Sequence, residues 1–130
     1  MVGIPIGYLS DRIGKEKALI LAYTVFLFTC ITCLGTSFIL IFLIPILYGA
    51  YFGMLETIQR ALIPEYVPKE YRATGYGIYY LIVGLSFLIA NSVVGSLWDT
   101  YGYTVAFQYS IVTSLIAILL LIIYVTIVKK

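Results

Sequence analysis

The sequence predicts an all-α membrane protein, with three to four transmembrane helices preceded by the tail of a truncated helix. Three observations predict it. Of 130 residues, 62% are hydrophobic and 11% charged, with mean hydropathy +1.06. A soluble domain is about 45–50% apolar and about a quarter charged. Next, the charge-free runs match or exceed the thickness of a bilayer. Finally, all 8 Lys and Arg residues fall on alternate connections between those runs.

The elements follow in order. Residues 1–9 are apolar but cover half a membrane at ~1.5 Å per residue, and they lack a basic start or a small-residue cleavage site. They read as the tail of a helix whose beginning is missing. Residues 18–55 carry no charge and as one helix would be ~57 Å long, against a hydrocarbon core of ~30 Å. They must cross twice. Gly35, Thr36 and Ser37 supply the break, the glycine by a positive φ and the hydroxyls by starting the next helix. The expected spans are 18–34 and 38–60. Charge-free runs at 73–97 and 100–128 supply two more, expected at 72–97 and 104–128.

Arg12, Lys15 and Lys17 precede the first full crossing; Arg60, Lys69 and Arg72 lie between the second and third; Lys129 and Lys130 follow the fourth. The opposite connections, 35–37 and 98–103, carry no Lys or Arg. The positive-inside rule puts the basic connections and the C-terminus in the cytoplasm of a multi-pass protein of the cell membrane. Trp98, Tyr101 and Tyr103 then belong to the outer interface, and Tyr66, Tyr71 and Tyr76 to the inner one.

Several chemistries drop out. A formal net charge of +2 is too weak to argue for nucleic acid. The absence of His removes imidazole triads, zincin motifs and imidazole proton shuttles. Cys30 and Cys33 form a C-x-x-C on a membrane helix with no second pair, so they read as small apolar residues rather than a zinc or redox site. No phosphate-loop glycine pattern occurs. The expectation is a non-enzyme with no metal and no cofactor.

The first basic connection reads Gly7-Tyr-Leu-Ser-Asp11-Arg12-Ile-Gly14-Lys15-Glu16-Lys17. It resembles the G-x-x-x-D-R-x-G-R-[RK]-x loop of the major facilitator superfamily of secondary transporters, with Lys15 in place of Arg and Glu16 where the family favours a base. Arg60 to Gly75, with Pro64, Pro68 and Arg72, looks like the loop before that family's eleventh helix. Gly95 to Gly102, followed by Phe107, looks like its last external loop. The resemblance covers the whole chain. It implies part of a C-terminal six-helix bundle, from the end of the eighth helix to the end of the twelfth. It also implies a missing N-terminal half, from the same gene or a separate chain, a lipid bilayer around both, and an unidentified small solute carried by alternating access.

Within that frame Gly7, Asp11, Arg12, Gly14 and Lys15 are the gating loop. The resemblance implies that Asp11 faces the start of a helix in the absent half, and that Arg72 awaits a loop from that half. The 18–34 and 104–128 helices are nearly free of polar residues and read as lipid-facing scaffold. In the 38–60 helix, Pro45, Gly49, Gly53, Glu56 and Arg60 fall on one face. In the 72–97 helix, Gly77, Gly84, Asn91 and Gly95 do the same. The glycines are expected to let another backbone pack closely. The resemblance makes the first of these helices cavity-lining and the second a contact between halves. Glu56 and Arg60 first suit an i,i+4 ion pair snorkelling at the inner interface, and second a group that gates, couples protons or touches solute. Asn91 suits a hydrogen bond to a neighbouring helix, or solute contact. Two other readings fit the same spans. One is a stand-alone four-helix exporter working as a dimer, which would need a membrane-embedded carboxylate in its first helix. The other is a non-transporting membrane subunit.

Overall fold

A computed structural model of the chain describes residues 14–128. The described residues form four α-helices and one short 3-10 turn, with no strand among them. Helix α1 is Lys15–Thr32, α2 is Leu40–Tyr66, α3 is Arg72–Tyr101 and α4 is Tyr103–Val128, with the 3-10 turn at Lys69–Tyr71. At ~1.5 Å per residue, α2 to α4 are ~39–45 Å long and exceed the bilayer core. These three, α3 together with the turn before it, are long and apolar enough to cross a membrane. The 18 residues of α1 include Lys15, Glu16 and Lys17 in its first turn. Residues 1–9 and Lys129–Lys130, to which expectations were attached above, lie outside the described residues.

The helices run past the expected spans because a bilayer boundary does not itself break a helix. Helix α2 continues through Arg60 and Pro64 to Tyr66. It stops where Val67 turns extended, at φ −120° and ψ 124°, because Pro68 crowds the residue before it out of the α region. Helix α3 ends at Gly102, whose φ of +86° suits glycine. The break after α1 works differently from expectation. Gly35 is not in the positive-φ region, and no hydroxyl caps α2, whose N-cap is Ile39. Two short-range turns reverse the chain instead, Gly35 bonding back to Thr32 and Leu40 to Ser37. Gly35 is needed for space, since a Cβ there would run into Leu40 Cδ1.

Helix α1 lies between α2 and α4, and α4 in turn packs on α3. The core joins Ala18 and Ala22 of α1 to Tyr51, Met54, Leu55 and Ile58 of α2. The two alanines, one turn apart, leave room for Ile58, which is fully buried. The expectation that α1 is lipid-facing scaffold is therefore wrong, for a physical reason. A helix apolar on all sides is equally suited to a protein interior and to lipid, and composition does not separate the two. Helix α4 buries Ala106 and Ser114, and α3 buries no residue.

Candidate functional site

Among the described residues, every charged side chain except Asp99 lies where α1 begins, α2 ends and α3 begins, here called the basic end. Gly14 adopts φ +95°, turning the chain into α1 and bringing Lys15 beside the end of α2. Lys15 Nζ donates to the Ala61 carbonyl at 2.9 Å and to Glu65 Oε1 at 2.5 Å. The Lys15 side chain is 18% exposed, so it is a largely enclosed clamp rather than a solvated charge. Glu16, where the resembled loop favours a base, is buried at 6% exposure. Gly7, Asp11 and Arg12 lie outside the described residues.

Across α2 stands a second cluster. Arg60 Nη2 donates to Glu56 Oε1 as an i,i+4 ion pair, and Arg60 Nε donates to Tyr80 Oη of α3 at 2.9 Å. Tyr76 Oη donates to the Arg60 carbonyl at 2.9 Å. Arg72 is half-buried; its Nη2 donates to the Pro64 carbonyl at 3.4 Å, and its Nε is buried with no partner among the described residues. Val67 closes against Gly75, where a Cβ would stand 3.1 Å from Val67 Cγ2. An apolar pocket of about 500 Å³ lies at this seam, among Leu62, Ile63, Ile78 and Tyr79.

Toward the far end α2 and α3 part. The opening is a cleft of about 440 Å³ reached by Phe26, Tyr48, Tyr51, Asn91, Phe107 and Thr113. Phe26 and Tyr51 stack with ring centroids 4.7 Å apart. No charged side chain lines the cleft. Asn91 is exposed, and its side-chain amide makes no hydrogen bond among the described residues. It sits ~16 Å along α3 from Tyr80, so the structure does not bring it to the Glu56–Arg60 pair.

The glycine stripes are bare. A Cβ at Gly49, Gly77, Gly84 or Gly95 would meet nothing within 4 Å. Gly53 is half-buried in α2, and its carbonyl accepts from Thr57 Oγ1 at 2.8 Å. Both cysteines are free, Cys30 buried. Among the described residues no group of three His, Cys, Asp or Glu could hold a metal ion.

Sequence reasoning missed Tyr76 and Tyr80. Their signal was the spacing Arg72, Tyr76, Tyr80, a four-residue stripe that puts all three on one face of α3. It missed the Lys15–Glu65 pair for a different reason, because it placed Glu65 in a loop rather than on α2.

The chain was compared with known proteins. The profile of the Major Facilitator Superfamily matches residues 1–130. An uncharacterized transporter of that type from Methanocaldococcus jannaschii is 33% identical over 122 residues, covering 91% of this chain and 30% of the relative. A cis,cis-muconate transport protein from Acinetobacter baylyi is 29% identical over 119 residues, covering 91% of this chain and 29% of the relative. An uncharacterized transporter from Buchnera aphidicola is 27% identical over 118 residues. No solved structure matches. The chain thus spans about 30% of the length of the curated relatives it matches.

Proposed function

The chain belongs to the major facilitator superfamily, and on that premise we propose that it supplies part of the C-terminal half of a secondary active transporter. It works with the remaining helices to move a small solute by alternating access, the two halves rocking around a midplane site. The observation that carries this reading is the bare stripe of α3. Gly77, Gly84 and Gly95 offer a surface with no side chain in the way, and Asn91 on that surface makes no hydrogen bond among the described residues. In lipid an amide without a partner is costly, so this face favours a further helix against it. Arg72 Nε adds, at the start of α3, a buried donor with no partner among the described residues. A cation there opposes the positive end of the helix, so an anionic loop of the other half would relieve it.

In this reading the basic end is cytoplasmic. Lys15 clamps the start of α1 onto α2, and the Glu56–Arg60 pair is the charged group at the seam of α2 and α3. Ionisable residues at membrane depth mark pathways and relays more often than scaffolding. The first solute class to test is a small organic acid, with Arg60 as the counter-charge, since one relative is named for cis,cis-muconate transport. The experiment is reconstitution. The 130-residue chain alone in liposomes should catalyse no gradient-driven uptake of cis,cis-muconate or of a panel of small solutes, and co-reconstitution with the rest of a relative's transporter should restore uptake. Transport by the chain alone would instead favour the small dimeric exporter.

A further inference from the structure

Pro64 lies in the last turn of α2 and lacks the N–H that would reach the Arg60 carbonyl, while the Pro64 carbonyl itself is open because α2 ends at Tyr66, ahead of Pro68. The carbonyls left open are those of Arg60 and Pro64. Each meets a side chain from the first turns of α3. Tyr76 Oη donates to the Arg60 carbonyl at 2.9 Å, and Arg72 Nη2 reaches the Pro64 carbonyl at 3.4 Å, a longer and weaker contact. One turn further along the same stripe, Tyr80 Oη accepts from Arg60 Nε at 2.9 Å. Arg60 is therefore held twice by α3, at its backbone and at its guanidinium, while its Nη2 stays on Glu56.

Two tyrosines at a membrane interface are ordinarily explained as belt residues whose hydroxyls seek headgroups. Here both hydroxyls engage one residue of the neighbouring helix, and the backbone acceptor exists because a proline follows it by four. We propose that Pro64 serves to unmask an acceptor for Tyr76, and that Tyr76 and Tyr80 are positioning residues that lock α3 onto α2 and hold the Arg60 guanidinium against Glu56. This goes beyond the transport reading and does not rest on it, since it concerns the helix pair alone.

The test uses the 130-residue chain in lipid nanodiscs, carrying a ¹³C=¹⁸O label on its arginine carbonyls and ¹⁵N on its guanidinium groups. Tyr76→Phe should move the Arg60 carbonyl band to higher wavenumber and lower the melting temperature by about 2–6 °C, the scale of one lost hydrogen bond. Tyr80→Phe should shift the Arg60 ¹⁵Nε resonance and leave the carbonyl band in place. Pro64→Ala restores an N–H four residues after Arg60, and in that background Tyr76→Phe should produce less than half of either effect. A full Tyr76→Phe effect in the Pro64→Ala background, or a carbonyl band unmoved by Tyr76→Phe, overturns the proposal. Pro64→Ala alone keeps every α3 side chain and should lower the Arg60 band as a second donor arrives. A band that stays still there overturns the unmasking step even if the Tyr76→Phe chain does not fold.

Discussion

At the residue scale, Arg60 is held through both its side chain and its backbone. It pairs with Glu56 within α2, donates to Tyr80 across the seam, and lends its carbonyl to Tyr76. An exposed i,i+4 pair in water is worth little, because solvent screens it and two long side chains must be ordered. Where a membrane excludes water, removing one partner strands the other. Glu56→Gln and Arg60→Gln should therefore each lower stability and solute uptake, while the double variant loses less than the sum of the two. A double-mutant cycle in a complete transporter carrying this segment measures it, and simple additivity would refute the coupling. The pair was legible in the sequence because helical spacing of opposite charges needs no tertiary knowledge. The tyrosines were not, because whether a belt residue points to headgroups or to a neighbouring helix depends on where that helix lies. Gly35 was misread on the same ground. Its φ is unremarkable, and what demands glycine is the Leu40 side chain folding back over it.

At the element scale, three of the described helices are long and apolar enough to cross a membrane, and their ends do not coincide with the charge-free runs. A charge-free run reports where apolar surface is tolerated, whereas a helix ends where backbone chemistry ends it, at Val67 before Pro68 and at Gly102. The role of α1 was the larger error. Its apolar circumference suited lipid as well as protein, and only packing reveals that Ala18 and Ala22 face Ile58. In lipid this contact draws little on the hydrophobic effect, because the alternative neighbour is just as apolar; close van der Waals fit carries it. Ala22→Leu should then cost about 1–3 kcal/mol by overpacking, read as a lower melting temperature of the reconstituted chain. Gly84→Leu is the contrasting variant. Its added side chain meets open space within this chain, so the chain alone should keep its melting temperature or gain slightly from better helix propensity. The same variant should abolish rescue by the remaining helices. Equal damage to the chain alone in both variants would count against the bare stripe as a docking face.

At the scale of the whole molecule, the family was legible from three short segments, because their order along the chain and their alternation across the membrane constrain each other. The solute was not, since the cleft offers rings, hydroxyls and one amide that many solutes could use. The sidedness expected from the 8 basic residues belongs to the same scale. With Cys30 and Cys33 replaced, Lys69→Cys should resist an impermeant thiol reagent in intact cells, and Ser37→Cys should react. The reverse pattern would invert the topology. One geometric property sets what such a molecule can do mechanically. Helices α2 and α3 are fastened together at the basic end and stand apart at the far end, so the pair has the form of tweezers hinged at one tip. Helix α3 is ~45 Å long, and its far end is not free, since Trp98 rests on Tyr103 and Phe107 of α4. A change of ~0.3 Å among the Arg60, Tyr76 and Tyr80 contacts, which lie ~6 Å apart along α3, would tilt that helix by about 3° and move its far end, together with the α4 helix it packs on, by ~2 Å.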